Sequence, residues 1–207
     1  MLTLVGPSGC GKSTLLRALL GFEQPESGAV YFDGKDLRGL DAALVRRQIG
    51  VVLQNSTLFR GDIFTNILGS KPLTMDDAWE AARMAGLEQD IRRLPMGMHT
   101  IIAEGGGGLS GGQRQRLMIA RAIVSKPRIL LFDEATSALD NQSQAIVSRS
   151  LEGLKSTRVV IAHRLSTIIH ADRIYVLDRG RIMQNGTYSE LMAQDGLFAQ
   201  LAKRQLN

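Results

Sequence analysis

The sequence predicts an α/β fold: a mainly parallel sheet flanked by helices, with a helical lobe inserted into it. Three observations carry that prediction. Ile129-Leu130-Leu131-Phe132 and Arg158-Val159-Val160-Ile161-Ala162 are near-continuous apolar runs, as parallel strands covered on both faces require. The chain opens with an apolar run, a glycine-rich turn and an amphipathic stretch, which reads as strand, turn, helix. Between about 55 and 125 no comparable strand run occurs and the periodicity turns helical. The expected organisation is one domain over 1–207, with a core of about 1–54 and 126–207 and a lobe of about 55–125.

Taken in order, Leu2 to Val5 is the first strand and Gly6 to Gly11 the turn. Lys12 to Leu20 is a helix with Leu15, Leu16, Leu19 and Leu20 on one side, stopped by Gly21. Val30-Tyr31-Phe32 and Ile49 to Leu53 read as strands. Thr74-Met75-Asp76-Asp77 is a capping box ahead of Ala78, Ala81, Ala82 and Ala85. Leu87 to Leu94 forms another helix before Pro95. Gly105 to Gly108 is a loop, and Ser110 opens a helix running to about Val124. The strand at Arg128 to Phe132, a helix at Gln142 to Leu154 and the strand at Arg158 to Ala162 follow. Ile174 to Leu177 and Ile182-Met183 flank Asp178-Arg179-Gly180 as a hairpin. Thr187-Tyr188-Ser189-Glu190 is a second capping box, at the start of a helical end.

Composition narrows the function classes. No apolar run approaches the roughly 18 to 20 residues of a membrane-spanning helix. The single Cys10 excludes an intrachain disulfide framework. The 25 Lys+Arg against 20 Asp+Glu give a net charge of +5. These basics are scattered among acids, with aromatics at 5%, so no nucleic-acid partner is expected.

The chemistry starts at Gly6-Pro7-Ser8-Gly9-Cys10-Gly11-Lys12-Ser13, which fits the P-loop pattern G-x-x-x-x-G-K-[ST] and continues into Thr14. Glycines let backbone N–H groups converge on phosphate oxygens, and the following helix presents its positive end. Lys12 would reach the β- and γ-phosphates and Ser13 would ligate Mg²⁺, the partner metal of ATP. Ile129-Leu130-Leu131-Phe132-Asp133-Glu134 is a buried strand ending in two carboxylates, and open α/β sheets bind ligands at such ends. Asp133 would hold Mg²⁺ through its water and Glu134 would polarise the attacking water.

At Leu109-Ser110-Gly111-Gly112-Gln113 the sequence resembles the nucleotide-binding domain of ABC transporters, whose signature motif is L-S-G-G-Q. Further motifs of that family follow the same order: Gln54 matches the Q-loop glutamine, Ser137-Ala138-Leu139-Asp140 the D-loop, and His163 the switch histidine. The resemblance implies a RecA-like core and a head-to-tail dimer, with each ATP between one chain's P-loop and the other's signature. Ser110, Gly111, Gly112, Gln113 and Asp140 then join the P-loop residues as nucleotide-binding groups. Glu134, His163 and Gln54 would be catalytic, and Gln54 would sense Mg²⁺ beside Ser13 and Asp133. Trp79 is expected to pack within the lobe.

Within the family, Glu104, five residues before Leu109, and Ala162-His163-Arg164-Leu165-Ser166-Thr167 resemble exporters, although the usual G-E-R-G is replaced by Ala103-Glu104-Gly105-Gly106. Pro95-Met96-Gly97-Met98-His99-Thr100 resembles cassettes that export leader-bearing bacteriocin-type peptides. The resemblance implies a transmembrane partner domain and a place on the cytoplasmic face of the inner membrane. The family pattern also sets strands and an adenine-stacking aromatic ahead of the P-loop strand, so an N-terminally truncated cassette is expected. A soluble ABC-type ATPase is the alternative. The 56 positions between Gln54 and Ser110 leave no room for the coiled coil of the DNA-repair type, and the translation type carries two cassettes per chain.

Overall fold

The computed structural model describes residues 1–162 and 164–206, apart from the side chains of residues 104 and 204–206. In chain order, β1 (Leu2–Val5) leads into α1 (Lys12–Leu19), followed by β2 (Tyr31–Phe32), β3 (Lys35–Asp36), α2 (Ala42–Arg47) and β4 (Ile49–Val52). Then come β5 (Gly61–Asp62), α3 (Ile63–Leu68), α4 (Met75–Met84), α5 (Glu88–Arg93), β6 (Ile101–Ile102) and α6 (Gly111–Ile123). The last part holds β7 (Ile129–Asp133), α7 (Asn141–Glu152), β8 (Thr157–Ile161), α8 (Leu165–Ile168), β9 (Arg173–Asp178), β10 (Arg181–Gly186), α9 (Tyr188–Met192) and α10 (Leu197–Leu206).

The main sheet runs β10-β9-β1-β8-β7-β4. β1 is parallel to both β8 and β9, with Thr3 opposite Val160 and Ile174. Its inner position explains its burial: Thr3, Leu4 and Val5 are all buried. β10 returns antiparallel along β9, as the expected hairpin. Arg179 and Gly180 both take positive φ there, the backbone hand that two-residue hairpins need.

The chain divides into two compact units. The first comprises residues 1–49, 131–134 and 157–207, and its core gathers Leu4, Leu16, Ile161, Ile174, Val176, Leu191 and Phe198. The second comprises residues 50–130 and 135–156, where α3 and α4 pack on α6 through Ile63, Ile67, Ala78, Ala82, Leu117 and Ile119. Residues 135–156, which the sequence reading assigns to the core, thus cluster with the second unit. The reason is packing: α7 meets α4, and a Cβ on Gly86 would stand 3.2 Å from Ile146.

Several short elements lie outside the sequence expectations. β3 pairs antiparallel with β2 across Asp33 and Gly34, both at positive φ. α2 is capped by Asp41, whose carboxylate accepts from the N–H groups of Ala43 and Leu44. The lobe, expected to lack strands, contains the antiparallel pair of β5 and β6, Gly61 opposite Ile102. Two-residue strands carry no period long enough to see. Both capping boxes form, at Thr74/Asp77 and Thr187/Glu190. Trp79 is half-buried in the lobe, with the Arg92 guanidinium 4.6 Å from its ring centre.

Candidate functional site

In the first unit, the turn after β1 is shaped by glycines that no other residue could replace without strain. Gly6 has φ 151°, and a Cβ there would stand 2.1 Å from the Leu177 carbonyl oxygen. Gly9 and Gly11 are also left-handed, but a Cβ on Gly9 would meet nothing within 4 Å. Gly11 caps α1 with no side-chain hydrogen bond, whereas Asp62, Thr74, Ser110, Asp140 and Thr187 each cap the helix they precede. Among the described residues the cap position therefore supplies no side-chain acceptor to the first N–H groups of α1, which suits an anion. Pro7, Ser8, Gly9, Ser13 and Thr14 are exposed around the turn. The Cys10 thiol is buried, so only its backbone can contribute to the turn's outer surface.

Lys12 is 7% exposed, and its ammonium donates to the carbonyls of Gly6 at 2.9 Å and Pro7 at 2.8 Å. A lysine buried this far needs such acceptors, since an unpaired buried ammonium is costly. Its head group is thereby held under the turn rather than dispersed in solvent.

The end of β7 meets the start of α1. The Ser13 hydroxyl donates to Asp133 Oδ2 at 2.7 Å, and Asp133 is 4% exposed. A hydroxyl beside a carboxylate is a hard-oxygen donor set of the kind Mg²⁺ takes together with phosphates and water. Among the described residues no group of three or more His, Cys, Asp or Glu is placed to hold a metal. The two groups fit an ion that arrives with phosphate ligands. Glu134 follows at φ 54°, and its N–H donates to the Ile161 carbonyl at 3.2 Å. This left-handed residue ends the strand and swings the carboxylate out of the alternating pattern. Strain of about 1 to 3 kcal/mol at one residue is typical of such positions.

The second unit holds Gln54, the 109–113 segment and Asp140. Gln54 is exposed in a turn closed by Leu53 N–H to Ser56 Oγ (2.9 Å) and Ser56 N–H to the Leu53 carbonyl (3.0 Å). The chain beyond it is gripped by two side chains that sequence reasoning missed. Asn66, fully buried, accepts from Phe59 N–H and donates back to the Phe59 carbonyl, each at 2.9 Å. Arg121 donates to Asn66 Oδ1 at 2.6 Å and to the Thr57 carbonyl at 3.1 Å, and its guanidinium lies 4.3 Å from the Phe59 ring centre. Burial lowers the Arg121 pKa from its ordinary value.

Ser110 caps α6 in a third capping box: its hydroxyl accepts from Gln113 N–H at 3.1 Å, and Gln113 Oε1 accepts from Ser110 N–H at 2.9 Å. The 137–140 segment lies close by: a Cβ on Gly112 would stand in ordinary contact, 3.4 Å from the Ala138 carbonyl oxygen. Gln115, buried one turn on, accepts from Ala138 N–H at 2.8 Å and reaches Ser137 Oγ at 3.4 Å. Asp140 caps α7, and the Ser143 N–H and hydroxyl hold its carboxyl below the usual carboxylate range. Asp90 and Arg116 complete the support, joined at 3.0 Å. A buried Gln or Asn on a helix is invisible in sequence, because polar residues read as exposed until packing is known.

Lys12, Ser13, Asp133 and Glu134 thus lie in the first unit, with Ser13 bonded to Asp133, and Gln54, Ser110–Gln113 and Asp140 lie in the second. His163 lies outside the described residues.

A family model described as ABC transporter matches residues 1–137. The alpha-hemolysin translocation ATP-binding protein HlyB of Escherichia coli O157:H7 is 50% identical over 206 residues, covering 98% of this chain and 29% of that protein. The mycobactin import ATP-binding/permease protein IrtB of Mycobacterium tuberculosis (strain ATCC 25618 / H37Rv) is 45% identical over 205 residues, covering 98% and 35%. Among solved structures, a bacterial Atm1-family ABC exporter with ATP bound superposes with a TM-score of 0.96 at 40% identity, covering all of this chain and 36% of that one. The chain spans about a third of the length of these relatives.

Proposed function

This chain belongs to the ABC transporter family as an ATP-binding ATPase domain, and on that premise we propose how its residues divide the work. ATP binds on the Gly6–Thr14 turn, and water attacks the γ-phosphorus in line. The observation that carries this reading is the 2.7 Å contact from Ser13 to Asp133, which joins the start of α1 to the end of β7. Lys12 and the turn's N–H groups neutralise phosphate charge, with Thr14 next to them at the start of α1. Glu134 orients the attacking water and accepts its proton, supported in the family resemblance by Gln54 and His163. Ser13 and Asp133 would hold Mg²⁺, which supplies charge neutralisation on the phosphates when bound.

A second copy completes each site in this reading. Ser110, Gly111, Gly112 and Gln113 of one copy, at the start of α6, face the nucleotide on the other, and Asp140 sits in the D-loop beside them. ATP closes the pair and hydrolysis reopens it. The whole protein would pass that motion to a transmembrane partner domain, with this domain on the cytoplasmic face of the inner membrane. Among the described residues no helix is long and apolar enough to cross a membrane. Export is the favoured direction, on the translocation and exporter wording of HlyB and the Atm1-family structure, although IrtB is named for import. The Pro95–Thr100 wording supports a peptide cargo.

The test is Glu134→Gln. Turnover is expected to fall about 100-fold or more while ATP still raises the melting temperature. Undiminished turnover would remove Glu134 from its role.

A further inference from the structure

We propose that Asp90 is a positioning residue: its carboxylate fixes the side-chain amide of Gln113 in the one orientation that seats Ser110 at the head of α6. The proposal rests on the reading above, in which Ser110–Gln113 of one copy meets the nucleotide held by another.

Gln113 has two side-chain partners of opposite character. Its Oε1 accepts from Ser110 N–H at 2.9 Å, and its Nε2 donates to Asp90 Oδ1 at 2.9 Å. An ionised carboxylate can only accept. A flipped amide would set oxygen against the Asp90 oxygen and NH₂ against the Ser110 N–H, losing both bonds. Asp90 and the Ser110 N–H therefore require the same amide orientation, and Asp90 is the side chain that enforces it from the Nε2 end. Ser110 Oγ meanwhile accepts from Gln113 N–H, and its own hydroxyl hydrogen stays a donor for an anion.

Asp90 is itself held from the other side. Its Oδ2 lies 3.0 Å from Arg116 Nη1, which also donates to the Gly86 carbonyl at 2.6 Å. Arg116 is 14% exposed and Asp90 28%, so the ion pair is largely shielded from solvent. The result is a relay from the turn before α5, through Asp90, to the first turn of α6. It gives the exposed Ser110 a fixed aim without placing a bulky group beside it, and pre-aimed donors cost no reorganisation when charge develops.

The experiment reads ATP turnover, ATP affinity and melting temperature for Gln113→Glu, Asp90→Asn and the double variant. Gln113→Glu keeps the Ser110 contact but sets a carboxylate against Asp90, so kcat is expected to fall about tenfold or more. Asp90→Asn can offer its single carbonyl oxygen to Gln113 only by turning its NH₂ towards Arg116, so it should cost about three- to tenfold by itself. In the double variant the amide introduced at position 90 donates to the new carboxylate at position 113, and kcat should return to within about threefold of the parent. ATP affinity should change less than kcat throughout. Strict additivity of the two substitutions, or a loss of affinity that matches the loss of kcat, would overturn the proposal. A purely structural Asp90 would give that additivity.

Absence of turnover in the unsubstituted chain would instead count against the ATPase reading. The Gln113 side-chain amide signal in NMR then decides: protected hydrogens that become exchangeable in Asp90→Ala support the proposal, and an unchanged signal overturns it.

Discussion

The Ser13 hydroxyl donates to Oδ2 of Asp133 at 2.7 Å across 120 positions of sequence. One residue starts a helix and the other ends a strand, so the contact exists only because α1 and β7 reach the same end of the sheet. It also joins a hydroxyl and a carboxylate in a nearly closed setting, where Asp133 is 4% exposed.

Loss of either partner should weaken Mg²⁺-dependent nucleotide binding. Asp133→Asn is expected to cost about 10- to 100-fold in Mg²⁺ affinity, the usual range for a perturbed metal-site group. Ser13→Ala should cost less, and the pair should be non-additive because the two groups touch. Titration of Mg²⁺ at fixed ATP, with the single and double variants, checks both statements. Additive losses would mean the two oxygens act apart.

Two glycines of the same turn should behave differently. Gly6→Ala drives a Cβ to 2.1 Å from the Leu177 carbonyl and asks Ala to hold φ 151°. Destabilisation of at least about 2 kcal/mol should follow, visible in denaturant melts. Gly9→Ala meets nothing within 4 Å. It should lose only about 1 kcal/mol from the left-handed backbone, yet weaken ATP binding, because the new methyl faces the outer side of the turn. Equal stability losses at the two positions would contradict the geometry.

Asp140 links pH to the start of α7. The Ser143 N–H donates to one of its oxygens at 2.8 Å and the Ser143 hydroxyl to the other at 2.9 Å. These bonds favour the ionised form and depress the folded-state pKa. A depressed carboxyl contributes stability above its unfolded pKa and loses it as pH falls through the folded one. Acid melts should therefore show a stabilising contribution that fades below the ordinary aspartate range. In Asp140→Asn that contribution should vanish, measured as the difference in melting temperature between the two chains from about pH 2 to about pH 6.

Much of this molecule is written locally. The order of the main strands and helices, two capping boxes, the helix start at Ser110 and the glycine-rich turn after β1 all depend on residues within one or a few turns of each other, so pattern and spacing suffice to read them. Tertiary structure alone brought Ser13 to Asp133, turned Cys10 inward and moved residues 135–156 from the expected core to the other unit. It also made Asn66, Gln115 and Arg121 into buried supports, and set Asp90 against Gln113. Those choices follow from packing between elements far apart in the chain. Sequence states which groups a helix carries; only burial against a partner states which of them must be satisfied, and by whom.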